Sequence, residues 1–301
     1  ASGETMNLIK NFAPNFIGGS ADLGPSNKTV LNGEGEFSAD NYGGRNIHFG
    51  VREQAMAAVG NGLMLYGGLK AYVATFFVFS DYVKPMARLS SLMKLPLTYV
   101  FTHDSIGVGE DGPTHEPVEQ LTMLRAMPNM YVFRPCDEFE TKAGWYVAMS
   151  SKETPTSLIL SRQDLPKMVG SNRGALRGGY IIDDCMSKPD IIIIASGSEV
   201  DLAVKAKEQL KDSNLNIRIV SMPCQELFRE QSEEYKESIL PSCVENRIVV
   251  EAGSRLSWGE FAGFKGKYVT MDTFGASGKP ADLFKEFHLT VEDVIKAIKE
   301  F

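Results

Sequence analysis

Leu97-Thr98-Tyr99-Val100-Phe101-Thr102-His103-Asp104 begins as a run of apolar and β-branched residues and closes on polar ones. That is the pattern of a buried strand that opens into a loop at its carboxyl end. The loop continues Ser105-Ile106-Gly107-Val108-Gly109-Glu110-Asp111-Gly112-Pro113-Thr114-His115-Glu116-Pro117. Its G-x-G-x-x-G directly follows a strand, so a dinucleotide fingerprint has to be weighed. The prolines that follow argue against it, because they cannot begin the tight helix whose N-terminus would hold a pyrophosphate. What remains is a glycine-rich active loop bracketed by His103 and His115, with Glu110 and Asp111 between them. Two of the chain's four histidines thus lie within thirteen residues. They sit past a strand end, where the crevice of an α/β sheet takes its ligand. A metal site built from His103, Asp111 and His115 is the rival, although no helical spacing of the H-E-x-x-H kind supports it. A plain hydrogen-bonding role within the loop is the third reading.

Outward from this stretch, strand and helix alternate. Phe16-Ile17-Gly18-Gly19 reads as a buried strand, and the polar segment 20–44 as a functional loop or a solvated excursion. A buried helix is expected over 52–66, a strand over 70–75, an aromatic-rich turn into a helix over 76–93, a helix over 119–127, a strand over 130–134, a helix over 138–150 and a strand over 156–160. Strands that are continuous apolar runs imply a mostly parallel sheet covered on both faces. The Gly, Ser, Asn and Arg of residues 169–179 read as an interdomain linker. Beyond it the alternation resumes, with strands at 179–182, 190–195, 217–221, 247–251 and 268–271. Helices are expected from 198 to 211, in two patches up to 239, and from 290 to 298, the last opened by the capping box Thr290-Val291-Glu292-Asp293. The expected architecture is therefore α/β in two domains, 1–168 and 180–301, each a mostly parallel sheet flanked by helices.

Composition agrees with this and narrows the functions. A chain of 301 residues with 43% hydrophobic and 23% charged side chains is long enough for about two cores. A net charge of −7 disfavours a nucleic acid as the main partner. Cys136, Cys185, Cys224 and Cys243 form no C-x-x-C pair and suit a reducing, cytoplasmic compartment as buried or semi-buried thiols. The apolar runs at 72–79 and 191–195 fall far short of the roughly 20 residues that span a bilayer, so no membrane partner is expected. The start, Ala1-Ser2-Gly3-Glu4, has no Met and no signal pattern, and reads as a chain entered partway through a longer gene product.

A second constellation lies in Gly50-Val51-Arg52-Glu53-Gln54-Ala55-Met56, where a carboxylate opens an otherwise apolar helix. It could be an ordinary helix-start acid favoured by the macrodipole. Phe76-Phe77-Val78-Phe79-Ser80-Asp81-Tyr82 supplies a dense aromatic cluster after the next strand. A carboxyl facing an aromatic wall can hold a planar heterocycle by stacking and one strong hydrogen bond. At a third place, Ser196-Gly197-Ser198-Glu199 could seat an anion at a helix start or be a plain structural turn.

Five phrases, in this order, resemble the transketolase family: Gly18-Gly19-Ser20-Ala21-Asp22-Leu23-Gly24-Pro25-Ser26-Asn27, His48-Phe49-Gly50-Val51-Arg52-Glu53, residues 102–115, Arg134-Pro135-Cys136-Asp137 and Leu160-Ser161-Arg162-Gln163. The resemblance covers the whole chain and is to the family's later two domains, the thiamine-diphosphate pyrimidine-binding domain followed by the C-terminal domain. It implies transfer of a two-carbon ketol unit between ketose and aldose phosphates, in the pentose phosphate pathway, with thiamine diphosphate and a divalent cation (Mg or Ca). Diphosphate and cation belong to a first domain that has no counterpart here, so the chain is expected to need an N-terminal domain or subunit. A homodimer through the pyrimidine domain is also implied.

Residue by residue, Glu53 resembles the carboxyl that hydrogen-bonds the cofactor's pyrimidine N1′ and so helps its exocyclic nitrogen remove the thiazolium C2 proton. The expectation is that burial against Phe76 and Phe79, with Tyr82 nearby, raises its pKa. His103 and His115 resemble the pair that polarises the sugar and shuttles protons, with Asp111 orienting a hydroxyl. Arg162, Ser26 and His103 resemble phosphate anchors, and Asp22 a contact to the donor sugar. Glu116 stands where the family more usually has Gln. Two other identities remain in view: a non-catalytic dimerisation or binding subunit, and the beta-type chain of a 2-oxo acid dehydrogenase. The His103–His115 loop and Pro25-Ser26-Asn27 speak against the latter.

Overall fold

Apolar runs with no alternation become strands buried on both faces, and in the computed structural model, which describes residues 1–301, they build two sheets. The first holds β1 (Phe16–Ser20), β2 (Asn46–His48), β3 (Lys70–Phe76), β4 (Thr98–Thr102), β5 (Tyr131–Phe133) and β6 (Thr156–Leu160). Their order is β2-β1-β3-β4-β6-β5, and every pairing is parallel. The second holds β7 (Tyr180–Asp183), β8 (Ile191–Ala195), β9 (Ile217–Ser221), β10 (Arg247–Glu251) and β11 (Lys267–Thr270), in the order β11-β10-β8-β9-β7. Only the edge strand β7 is antiparallel. All residues of β4, β6 and β8 are buried.

Three departures from expectation have physical causes. β2 was not anticipated, because Asn46-Ile47-His48 has no apolar run. It is an edge strand held by the Asn46 side chain, which accepts from Leu31 N at 2.8 Å and donates to Leu31 O at 2.9 Å. Glycine makes room for it, since a Cβ on Gly19 would stand 1.8 Å from Ile47 O. The aromatic-rich turn runs further than expected before its helix begins. Phe76 ends β3, Phe77–Phe79 form a 3₁₀ turn, and the helix proper is Ser80–Leu92. Residues 169–179 are not a free tether either. Ala175 is fully buried, and with Met168 it joins a 38-residue core that draws on both sheets. The Tyr180 hydroxyl donates to Glu140 at 2.9 Å across the junction.

Smaller features divide. The last helix, Val291–Lys299, carries the expected capping box, with Thr290 and Asp293 bonded reciprocally. Ser198 makes no backbone cap, and its hydroxyl donates to Glu199 at 2.6 Å instead. Cys136 and Cys224 are buried and Cys185 is half-buried, but Cys243 is exposed, against the expectation of a sheltered thiol. No helix is long and apolar enough to cross a membrane.

Candidate active site

A parallel sheet delivers all its carboxyl ends to one edge. Here Ser20, His48, Phe76, Thr102 and Leu160 end β1, β2, β3, β4 and β6, and the predicted site residues lie on the segments that follow them. His103 comes directly after β4, with φ +65° in the left-handed region. Its ring is buried and stacks on Phe76, the centroids 3.7 Å apart. Nδ1 lies 2.9 Å from Thr102 Oγ1, whose own hydroxyl donates to Asn27 Oδ1 at 2.7 Å. With that hydroxyl proton committed, Thr102 accepts from Nδ1–H, and Nε2 keeps its lone pair. Burial above all, then the nearby Arg162 guanidinium, pushes the His103 pKa down to about 4; Asp104 and Asp111 oppose the shift and His115 adds to it. The ring is thus a neutral acceptor near pH 7.

The aromatic wall is continuous with both histidines. Phe76 and Phe79 are parallel at 6.1 Å, Phe79 and Tyr82 lie 6.1 Å apart, and Phe79 meets the half-buried His115 edge-on at 5.5 Å. His115 Nδ1 is 2.9 Å from Thr114 Oγ1. Asp111 is exposed on the loop between the two rings.

Glu53 opens the helix Glu53–Tyr66 and lines a cavity of about 610 Å³ with Arg52, Gln54, Ala55, Ala58, Tyr82 and Met86. This corrects the expected seat of that acid. It is half-buried, not buried, and of the three rings only Tyr82 lines its cavity, while Phe76 and Phe79 serve the histidines. The reason is that the outer face of this helix has nothing packed on it within one chain, as the exposure of Val59 (47%) and Leu65 (63%) shows.

Asp22, with φ +62°, lines a second cavity of about 170 Å³ together with Ser20, His48 and Gly50. Ser26 and Arg162 are both exposed, and Arg162 forms no ion pair. Thr102 and Asn27, which orient His103, were missed; the Thr-His pair was a visible signal, whereas nothing local marks Asn27. Glu116 was noticed only as a departure from the usual residue, yet it is buried with neither carboxyl oxygen hydrogen-bonded.

What could be held here follows from the donor set. Rings, a carboxyl and an open cavity fit a planar heterocycle. A divalent cation does not fit, because no three His, Cys, Asp or Glu side chains, His103, Asp111 and His115 included, are placed to ligate one. A free guanidinium beside a neutral imidazole suits a small anionic ligand.

Comparison with known proteins shows the family. Residues 1–168 match the family model of the transketolase pyrimidine-binding domain, and residues 178–290 that of the transketolase-like C-terminal domain. A transketolase of Halalkalibacterium halodurans is 51% identical over 99% of this chain, which covers 46% of that protein. The chain therefore spans about half the length of the curated relatives it matches. Among solved structures, a Pichia stipitis transketolase in complex with sedoheptulose-7-phosphate superposes with a TM-score of 0.94 at 43% identity, over 99% of this chain and 45% of that one. A chain described as a split gene transketolase, inactive beta4 tetramer, shares the fold at a TM-score of 0.79 and 23% identity, over 99% of this chain and 96% of its own.

Proposed function

Since the chain belongs to the transketolase family and carries its C-terminal portion, we propose that it forms the sugar-handling half of a ketol-transferring active site, completed by the part of the family's length it does not span. One observation carries this: a single aromatic wall joins His103 to His115 at the carboxyl edge of the sheet, with Arg162 acting electrostatically on His103.

The rings of the site and the Glu53 carboxyl would seat the heterocyclic half of thiamine diphosphate, Glu53 sharing a proton with a ring nitrogen. Thiamine diphosphate, when bound, supplies the nucleophilic carbon that carries the two-carbon unit. His103 takes a proton at Nε2 from a sugar hydroxyl and returns it, since its neutral ring already spends Nδ1 on Thr102. His115, whose ring meets Phe79 edge-on, serves the second hydroxyl. Asp111 orients that hydroxyl, Arg162 and Ser26 hold the phosphate, and Asp22 contacts the donor sugar from the second cavity. Diphosphate and any divalent cation fall to the rest of the assembly. A second copy covering the exposed helix face beside Glu53 would supply the burial that one chain lacks, so the working form is a homodimer.

Mixing the chain with thiamine diphosphate, Mg²⁺, a ketose phosphate and an aldose phosphate should give no turnover. Adding the N-terminal part of a related transketolase should restore it. In that assembly Glu53→Gln should abolish C2 proton exchange of the bound cofactor, and near-normal exchange would refute the assignment.

A further inference from the structure

The loop between His103 and His115 is gripped at both ends by the second sheet and its connections. At the first end stands Arg134, one residue past β5 and fully buried. Its Nε donates to Asp104 Oδ2 at 2.9 Å, and Nη2 lies 2.8 Å from the same oxygen. Nη1 donates to Ser196 O at 2.7 Å and to the Glu199 carboxylate, which also accepts from Ala252 N at 2.9 Å. Ser196, Glu199 and Ala252 all lie in the second half of the chain. Asp104 is the residue after His103, at the point where the backbone turns through positive φ. The turn Ser196-Gly197-Ser198-Glu199 is thereby a seat for a protein side chain, not for an anion, as a Cβ on Gly197 would stand 2.5 Å from the Arg134 guanidinium.

At the other end, Ser277 Oγ donates to Glu110 O at 2.7 Å. Side chains pack closely against glycines there. A Cβ on Gly109 would lie 3.0 Å from Pro280, one on Gly112 would lie 3.2 Å from Ser277, and one on Gly275 would lie 1.9 Å from Glu116 Oε2. Buried ion clusters are a poor source of net stability, because well-packed apolar groups do as well. What fixed, directional bonds to Asp104 and Glu110 do provide is orientation of the loop that carries both histidines.

We propose that the C-terminal domain is a positioning clamp for the histidine loop, in which Glu199 acts on His103 through Arg134 and Asp104, and Ser277 acts on the His115 end through Glu110. Its catalytic consequence rests on the function proposed above; the clamp itself does not.

Hydrogen exchange of the full chain, read by mass spectrometry, tests the clamp in Glu199→Gln and Ser277→Ala. Ser277 is exposed, so its variant keeps the fold if Glu199→Gln does not. Amides 105–115 should exchange about tenfold faster in one or both variants, with the rest of the chain unchanged. Unchanged loop exchange in both, or acceleration spread evenly over the chain, would overturn the proposal. In the active assembly the same variants should lower kcat/KM for the ketose phosphate several-fold, on the order of 3 to 10, yet leave C2 exchange of the bound cofactor intact. Equal loss of both would mark a merely structural role. Should the unaltered assembly fail to transfer a ketol unit, the proposed function falls while the exchange pattern still decides the clamp.

Discussion

Replacing Glu116 by Gln gives a sharp quantitative expectation. Glu116 is 2% exposed, follows His115, and packs beneath Gly275, with neither carboxyl oxygen hydrogen-bonded. Burial pushes its pKa up to about 7 from an ordinary 4.5. The amides of Ala276 and Gly109 pull the other way, but neither makes a hydrogen bond of good geometry. A folded state that holds the proton more tightly than the unfolded state has its full stability below pH 4.5 and loses it as pH rises through 7. The whole window is worth about 3 kcal/mol, of which about 2 kcal/mol falls between pH 5.5 and 8. Gln is of the same size and never ionises. In urea titrations at a series of pH values, the stability of the natural chain should therefore fall relative to Glu116→Gln by about that amount as pH rises from 5.5 to 8. Other titrating groups are common to both proteins and cancel in the difference. A difference that stays flat to within about 0.5 kcal/mol, or that has the opposite slope, would refute the idea of an unpartnered buried acid beneath the loop.

Other expectations are as direct. Imidazole resonances of His103 should show no midpoint between pH 8 and pH 5, with at most about a tenth of the ring protonated at pH 5, since its pKa is pushed down to about 4; the associated stability is complete above the ordinary value of 6.5 and is lost as pH falls toward 4. A midpoint near 6.5 would mean the ring is solvated and not stacked on Phe76. Gly19→Ala should lower stability by about 1 to 3 kcal/mol, because the new Cβ would meet Ile47 O at 1.8 Å and push β2 and His48 off the sheet edge. An unchanged melting temperature would show that β2 does not lie where the structure puts it.

Where the sequence was readable, the cause was local. Ile191–Ala195 and Thr156–Leu160 announce themselves because a strand covered on both faces must be apolar at every position. The histidine loop announces itself because glycines and titratable groups crowd past a strand end. β2 did not, since an edge strand of three residues can be secured by one asparagine side chain. The aromatic cluster was legible as a cluster, but not its neighbours: Phe76 stacks on His103, 27 residues away, and within one chain only Tyr82 of the three rings lines the cavity of Glu53.

Residue order by itself determined the two α/β sheets and the family, because periodicity and short motifs are properties of neighbours along the chain. Folding in three dimensions decided which of those groups are buried, neutral or held. The partner of Arg134 lies 65 residues away in Glu199, and that of Arg125 lies 126 residues away in Glu251. Charge state and orientation depend on such neighbours in space, and no local pattern records them.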